Sequence, residues 1–370
     1  MGIGKLPDFP WDLLVPARRK AEAHPDGLVD LSIGTPVDPT PAVVQEALKA
    51  HSDAAPYPMA SGSADLRRAI VGWCERRRNV VGLGPEAVLP TIGSKELVAW
   101  LPTMLGIGAG DIVGVPPVAY PSYLVGSEIA GAEVRLLGPP STLDSLGEKG
   151  RVRLIWLNTP GNPHGEVHDV AYLRQVVEWA RANDVVVASD ECYAELDWRD
   201  GGHARATPSI LDAEVCGGSH ENLLMVYSLS KQSNLAGYRA GLVAGDPALI
   251  ARVLQVRKHT GMMMPTPVQH AMAAALSDDE HVRAQRAVYG RRRERLLAAA
   301  GRAGLRVEHS DAGLYLWATR DEDCWVTSSD LAEKGILVAP GAIYGPSCAR
   351  HVRIALTATD ERVDAACERL

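Results

Sequence analysis

The chain has 370 residues, and 45 acidic against 38 basic side chains give it a formal net charge of −7. This length allows two compact domains or one large α/β unit, and the composition excludes a disordered chain, a collagen-like fibre and a small disulfide scaffold. The acidic balance argues against a nucleic-acid-binding protein, and the longest apolar stretch, 98–109, is broken by Pro102 and too short to span a membrane.

Short apolar segments alternate with helical patterns through the first two thirds of the chain. The predicted strands are 87–91, 112–115, 152–157, 185–189 and 223–227, and 242–244 can join them. Amphipathic stretches such as 95–105 and 170–183 lie between these strands, with apolar residues at helical spacing. Apolar strands without alternation, separated by helices, predict a mainly parallel sheet that is covered on both faces.

The pattern changes beyond about residue 250. An arginine-rich helical stretch covers 247–304 with an interruption near 261–267, and strand-like segments follow at 305–308, 313–318 and 352–356. We interpret this part as a second, smaller α+β domain, with the N-terminal arm packing beside it. The predicted boundaries are 1–38 for the arm and part of the small domain, 39–250 for the large domain, and 251–370 for the rest of the small domain.

Two residue types give little indication of function. The six cysteines contain no CxxC pair, so no zinc or other metal site and no redox dithiol is expected. Reduced thiols and the absence of a leader pattern favour a cytoplasmic enzyme. The arginine clusters 76–78 and 291–293 fall in helical patterns and are predicted to be solvated helix faces.

Ligands bind beyond the carboxyl ends of the strands in open α/β sheets, so polar residues that follow the strands are the candidates for a site. The turn Gly93-Ser94-Lys95 opens a helix and suits an anion, through free backbone amides and the helix dipole. The other candidates follow later strands: Asn158 and Asn162 after 152–157, Asp190 and Tyr193 after 185–189, and Ser228, Lys231 and Arg239 after 223–227.

Each of these signals is weak alone, but their joint order indicates one ligand. A ligand with a phosphate, an aromatic nitrogen and an aldehyde would use all of these groups, and pyridoxal 5′-phosphate is such a cofactor. A carboxylate keeps the ring nitrogen protonated, and a lysine amine bonds to the aldehyde. Phenol and amide donors hold the ring oxygen, while hydroxyls and an arginine hold the phosphate.

With its motifs in this order, almost the whole chain resembles the fold-type I, class I/II pyridoxal-phosphate aminotransferases. The most specific motif is Ser228-Leu229-Ser230-Lys231 followed by Gly237-Tyr238-Arg239. The resemblance implies an aspartate aminotransferase-like fold. Its large domain holds a mainly parallel, mixed sheet of the seven-stranded type between helices, and its smaller α+β domain is formed by both chain ends.

The resemblance also implies roles for individual residues. Lys231 matches the lysine that bonds to the cofactor, Asp190 matches the partner of the ring nitrogen, and these two with Tyr193 would be the catalytic residues. The other implied cofactor contacts are Tyr193 and Asn162 at the ring hydroxyl, Tyr120 stacked on the ring, Asn158 beneath it, and Ser94, Lys95, Ser228 and Arg239 at the phosphate.

Three further matches concern substrate and assembly. Arg353, in Val352-Arg353-Ile354-Ala355, matches the arginine that binds the substrate α-carboxylate, beside Asn162, and Gly34 matches the glycine of a segment that closes over substrate. Tyr57 matches the tyrosine that reaches the phosphate of the neighbouring subunit. The resemblance therefore implies a homodimer with shared active sites and small-molecule amino-acid and 2-oxo-acid substrates, without nucleic acid or membrane as partners.

Segments 6–14, 31–41 and 353–359 resemble the N-succinyldiaminopimelate aminotransferases. This implies N-succinyl-LL-2,6-diaminopimelate and 2-oxoglutarate as substrates, ping-pong kinetics and a place in lysine biosynthesis. Arg18, Lys258 and His259 are the candidates for binding a distal substrate carboxylate.

The same catalytic residues leave other activities open. These are an aminotransferase for aspartate, aromatic amino acids or kynurenine, and a pyridoxal-phosphate-dependent C–S β-lyase. A non-catalytic regulator is the third class, and it would carry a DNA-binding domain ahead of the fold.

Overall fold

The computed structural model describes residues 6–199 and 207–370. The strands are β1 (Val29–Asp30), β2 (Val88–Ile92), β3 (Ile112–Val115), β4 (Glu133–Leu136), β5 (Val152–Asn158), β6 (Val186–Asp190), β7 (Leu223–Ser228), β8 (Ala240–Gly245), β9 (Arg306–Glu308), β10 (Tyr315–Thr319), β11 (Ile336–Leu337), β12 (Ala339–Pro340) and β13 (His351–Ala355). The α-helices are α1 (Val15–Glu22), α2 (Ala42–Ala50), α3 (Ala64–Arg78), α4 (Gly93–Met104), α5 (Ser122–Ala130), α6 (Val170–Asn183), α7 (Ala213–Cys216), α8 (Pro247–Thr260), α9 (Thr266–Ser277), α10 (Glu280–Arg302), α11 (Cys324–Glu333) and α12 (Asp360–Arg369).

Seven strands form the large sheet, in the order β2-β8-β7-β6-β5-β3-β4. Neighbouring strands from β7 to β4 are parallel, whereas β8 runs antiparallel to both β7 and β2. The predicted mixed sheet is therefore confirmed, and 242–244 lies in its antiparallel strand. Strand β4 was not predicted. It is a partly exposed edge strand, and its sequence Glu-Val-Arg-Leu is not a continuous apolar segment.

Helices cover both faces of this sheet. Along β5, Leu154 and Trp156 belong to one apolar core, whereas Ile155 and Leu157 belong to the other, as the two-residue period of a strand requires. The first core continues into α4, α5 and α8, and the second into α3, α6 and α9. Burial on both faces explains why the strands read as continuous apolar segments.

The predicted helical stretch 247–304 consists of α8, α9 and α10. A break near Gly261 was expected, and a second break falls at Asp278, whose carboxylate accepts a hydrogen bond from the Glu280 amide at 2.8 Å. Within residues 6–199 and 207–370, no helix combines the length and the apolar character needed to cross a membrane.

A smaller α+β part contains a four-stranded antiparallel sheet, β12-β13-β10-β9, and the short parallel pair β1–β11. Strand β1 comes from the N-terminal region and β11 from the C-terminal region, and Leu31 shares an apolar core with Leu316. Both chain ends therefore build this part, which confirms the predicted fold class. The domain boundaries 1–38, 39–250 and 251–370 stay predictions.

The prediction that both arginine clusters are solvated is wrong for two of their members. Arg78, at the end of α3, is fully buried and contacts Glu191 with 2.6 Å between Nη2 and Oε2. The other oxygen of Glu191 accepts hydrogen bonds from the Ile210 amide at 2.8 Å and the Ser209 hydroxyl at 3.1 Å. Arg292 of α10 is 3% exposed. Local helical periodicity did not predict this burial, because the ionic partners lie far away in the chain.

Replacing Arg78 with alanine would leave the Glu191 carboxylate buried without its ionic partner. We expect Arg78→Ala to lower the free energy of unfolding by about 3–5 kcal/mol, as measured by urea denaturation. Arg68→Ala is the matched control, because Arg68 lies on the same helix in an exposed pair with Asp65, and its cost should stay within about 0.5 kcal/mol. Equal losses in both variants would contradict a structural role for the buried pair.

Candidate active site

A cavity of about 300 Å³ lies at the carboxyl edge of the large sheet, facing the smaller α+β part. The resemblance matches thirteen residues to roles at the cofactor, the substrate α-carboxylate or the dimer contact, and twelve of them line this cavity: Gly34, Ser94, Lys95, Tyr120, Asn158, Asn162, Asp190, Tyr193, Ser228, Lys231, Arg239 and Arg353. Tyr57 is the exception, because its side chain lies outside the cavity and is 93% exposed. Sequence reasoning missed several other lining residues, including Trp11, Tyr123, Cys192, Ser230 and Tyr315.

One end of the cavity is built to hold an anion. Helix α4 begins there at Gly93, whose φ is +71°, and its first backbone N–H groups have no partner within the helix. A side chain at position 93 would collide with the guanidinium of Arg239. Arg239 itself has a φ of +55°, which is costly for a residue with a side chain and is typical of functional positions. Glycine therefore lets a cation lie directly over a helix N-terminus.

The turn after β7 adds hydroxyl groups to the same end. The Ser228 and Ser230 hydroxyls lie 2.8 Å apart, and the Ser230 amide donates to Ser228 Oγ at 3.2 Å. With Ser94 and Arg239 they give a set of donors that suits a phosphate group.

Asp190, the last residue of β6, also lines the cavity. Its Oδ2 accepts a hydrogen bond from the Tyr123 hydroxyl at 2.8 Å, and its Oδ1 accepts one from the Cys192 amide at 3.1 Å. Burial raises the pKa of Asp190 above its ordinary value, and these hydrogen bonds oppose the rise because they favour the carboxylate. A cationic ring nitrogen next to Asp190 would favour the carboxylate further.

The amine of Lys231 projects into the cavity from the turn after β7 and donates to the carbonyl oxygen of Gly34. Burial lowers the pKa of this amine, because desolvation disfavours the charged form, and Arg353 lowers it further whereas Tyr315 opposes the shift. A larger fraction of the amine is therefore neutral and nucleophilic than on an exposed lysine.

Arg353 lines the cavity as well and is only 2% exposed. Its Nη1 donates to Asn162 Oδ1 at 2.9 Å, and its Nη2 donates to the Ser32 carbonyl at 2.7 Å. The guanidinium carbon lies 3.9 Å from the centroid of the Tyr315 ring, and the buried Nε has no hydrogen-bond partner. Arg353 is thus a rigid, buried cation with a donor left free.

Two tyrosines line the cavity beside Arg353. The Tyr193 and Tyr315 hydroxyls lie 3.1 Å apart. Burial raises the pKa of Tyr193 well above its ordinary value. Burial also acts to raise the pKa of Tyr315, but the positive charges of Arg353 and Lys231 oppose it, and the pKa of Tyr315 lies below its ordinary value. The position of Tyr315 also explains why residue 34 is a glycine, because any side chain there would collide with the Tyr315 hydroxyl.

Asn158 holds the turn that carries Asn162. Its Nδ2 donates to the carbonyls of Pro160 and Asp190, both at 3.1 Å, and its Oδ1 accepts from the Asn162 amide at 2.8 Å. The ends of β5 and β6 are therefore fixed relative to each other.

Two of the missed residues lie close to features that the sequence did indicate. Tyr123 comes three residues after Tyr120, and Tyr315 falls in the predicted strand 313–318. The three candidates for a distal carboxylate, Arg18, Lys258 and His259, do not line the cavity, and Arg18 instead pairs with Asp30 at 2.6 Å.

Comparisons with known proteins agree with this geometry. The family model of aminotransferase class I and II matches residues 26–370. The 4-dedimethylamino-4-oxo-anhydrotetracycline transaminase OxyQ of Streptomyces rimosus is 54% identical, over 99% of both chains. A probable aminotransferase of Mycobacterium tuberculosis is 55% identical, over 99% of this chain and 85% of its own. The structure of a probable N-succinyldiaminopimelate aminotransferase from Thermus thermophilus is 30% identical and superposes with a TM-score of 0.84, over 98% of this chain and all of its own.

The hydrogen bond from Tyr123 to Asp190 leads to a prediction for the pKa of the Asp190 carboxyl. Tyr123→Phe removes a donor that favours the charged form, so the pKa of Asp190 should rise by about one unit. Carbon-13 NMR of protein with labelled aspartate carboxyls would measure this pKa. Tyr172→Phe is the control, because the Tyr172 ring stacks on His168 and its hydroxyl does not contact Asp190. An unchanged Asp190 pKa in Tyr123→Phe would show that the hydrogen bond has no effect on the carboxylate.

Proposed function

The chain belongs to the class I and II aminotransferases, and we propose that it transfers an amino group between N-succinyl-LL-2,6-diaminopimelate and 2-oxoglutarate. Members of this family use pyridoxal 5′-phosphate with amino-acid and 2-oxo-acid substrates. The observation that supports transamination is the cavity that Lys231, Asp190 and Arg353 share.

The residues present fit the cofactor. Ser94, Lys95, Ser228 and Arg239 would hold the phosphate, Tyr193 and Asn162 would donate to the ring hydroxyl, and Tyr120 and Asn158 would contact the two ring faces. Asp190 would hold the ring nitrogen in its protonated form, which fits a carboxylate whose two oxygens already accept hydrogen bonds. When bound, the cofactor supplies an aldehyde for attachment and a ring that accepts electrons as the Cα–H bond breaks.

The protein's own side chains would position the substrate and move a proton. Arg353 would bind the α-carboxylate with its free Nε and an adjacent nitrogen, which fixes the substrate relative to Lys231. The neutral Lys231 amine would take the proton from Cα and return it to the cofactor side, acting as general base and then as general acid. The donor product would leave before the acceptor binds, which gives ping-pong kinetics.

The exposed side chain of Tyr57 supports a homodimer with shared sites. A tyrosine that is 93% exposed and outside the cavity of its own chain has no evident role within one subunit. In the proposed dimer its hydroxyl would donate to the phosphate in the neighbouring cavity.

Mixing two inactive variants tests this arrangement. Lys231→Ala removes the amine and Tyr57→Ala removes the phosphate contact, so each homodimer should lose most of its activity. In a mixed dimer, one of the two sites would hold both Lys231 and Tyr57 of the partner subunit. Each mixed dimer should therefore have one active site out of two. Absence of recovery, with mixed dimers confirmed by native mass spectrometry, would contradict shared sites.

Two observations bear on the substrate. The likeness to the Thermus thermophilus protein supports an N-succinyldiaminopimelate donor. A second candidate is a polycyclic ketone as the amino acceptor, which the 54% identity to OxyQ over 99% of both chains favours.

A substrate panel tests the proposal and its alternatives. With 2-oxoglutarate as acceptor, N-succinyl-diaminopimelate should give a kcat/KM for glutamate formation at least tenfold above those of aspartate, phenylalanine and kynurenine. The second candidate is tested with an oxidised anhydrotetracycline ketone as acceptor and glutamate as donor. The β-lyase activity is tested with cystathionine as substrate and detection of pyruvate.

Lys231→Ala is the control for every arm of the panel, because any turnover that it retains does not come from this site. A preference for any other compound would overturn the substrate proposed here, whereas no transamination with any pair would contradict the activity itself.

A further inference from the structure

Helix α10 carries a row of polar side chains along one face, three of them buried and the first partly buried. They recur at helical spacing and are His281, Gln285, Tyr289 and Arg292. Polar groups that are buried need partners, since each unpaired one costs free energy. Two segments that lie far from α10 in the sequence supply partners to this row, the loop that follows Lys231 and the segment that follows Gly34.

Two residues of the loop after Lys231 contact the upper part of this row. The Ser233 hydroxyl lies 2.8 Å from His281 Nε2. Asn234 has a left-handed backbone, with a φ of +54°, and both ends of its amide are held. Its Nδ2 donates to Gln285 Oε1 at 2.8 Å, and its Oδ1 accepts from the Tyr289 hydroxyl at 3.2 Å. The loop that carries the amine is therefore fixed to α10.

The segment after Gly34 contacts the lower part of the row through Asp38. The carboxylate of Asp38 accepts two hydrogen bonds from Arg292, from Nη2 at 2.6 Å and Nη1 at 2.8 Å, and a third from Gln285 Nε2 at 2.8 Å. This is a two-pronged, charge-assisted contact of the strong kind. Asp360 contacts the Nε of the same arginine at 2.7 Å, but it lies at the start of α12 and is half exposed.

Gln285 connects the two segments, because one end of its amide binds Asn234 and the other binds Asp38. The same two segments also meet inside the cavity, where the Lys231 amine donates to the Gly34 carbonyl. We propose that Asp38 is a positioning residue: through Arg292 and Gln285 it holds the Gly34 carbonyl against the Lys231 amine. The importance of this for turnover rests on the role of Lys231 proposed above.

The contact has a direct chemical consequence. A carbonyl that accepts a hydrogen bond from an ammonium group favours the charged form, so loss of the contact should let the amine lose its proton at lower pH. The titratable groups that line the cavity with the amine are Lys95, Tyr120, Tyr123, Asp190, Cys192, Tyr193, Arg239, Tyr315 and Arg353. Substitution of Asp38 or Gln285 alters none of these side chains directly.

Acylation of Lys231 measures this effect without depending on turnover. The full-length protein, freed of cofactor, is treated with trace acetic anhydride between pH 6 and 11, and the Lys231 peptide is quantified by mass spectrometry. Asp38→Asn should lower the midpoint of labelling by roughly 0.5–1 pH unit. Gln285→Met should shift it in the same direction, and this variant changes no charge.

Asp360→Asn is the matched control, because it removes the other carboxylate on Arg292 but leaves the Gly34 segment untouched. Its labelling midpoint should equal that of the parent. Thermal unfolding of each variant shows whether the fold is retained.

Two results would overturn the inference. One is an unchanged midpoint in both Asp38→Asn and Gln285→Met, and the other is an equal shift in Asp360→Asn, which would trace the effect to Arg292 alone. If the midpoints behave as expected but no substrate is transaminated, the positioning role stands and the proposed function fails. The two ideas are therefore tested separately.

Discussion

The buried guanidinium of Arg353 is the constraint on which the arrangement of this site depends. Its hydrogen bonds go to neutral oxygens, of Asn162 on the large-sheet side and of Ser32 on the N-terminal side, and its face lies on Tyr315. Among the described residues, no carboxylate lies within ion-pair distance of it. A buried charge without a counter-ion is costly, so the protein is prepared for an anion that arrives from outside. A substrate carboxylate would supply that counter-charge, and its binding would relieve a cost built into the free enzyme.

The same contacts join parts of the chain that are far apart in sequence. Asn162 follows β5, Ser32 follows β1, and Tyr315 begins β10, so Arg353 links the large sheet to the smaller α+β part. The row on α10 makes a second link, between the Lys231 loop and the segment after Gly34. One N-terminal segment therefore contacts both the Arg353 guanidinium and the Lys231 amine, through the carbonyls of Ser32 and Gly34.

The sequence predicted most of this site because its residues follow strands whose order along the chain is plain. Asn158, Asp190 and Ser228 each end a buried strand, and parallel strands bring their carboxyl ends to one edge. Tyr123 and Tyr315 lie close to features that the sequence did indicate, but their roles were missed because these come from contacts with Asp190 and Arg353, which are distant in the chain. Arg78 was misread for the same reason, since Glu191 lies on another element. Strand β4 was missed because it lies at the sheet edge, where one side faces water and apolar character is not required.

The antiparallel strand β8 has a consequence for how the protein matures. Among the described strands, β2 pairs with β8 alone. Strand β8 lies far along the chain, so this pairing is a long-range contact that forms slowly. The anion-binding end of the cavity combines Gly93, just after β2, with Arg239, just before β8. A chain still emerging from the ribosome therefore lacks this binding end until β8 has been synthesised and inserted. Capture of the phosphate-bearing cofactor would then mark chains whose large sheet is complete, and it would stabilise them selectively over unfinished ones.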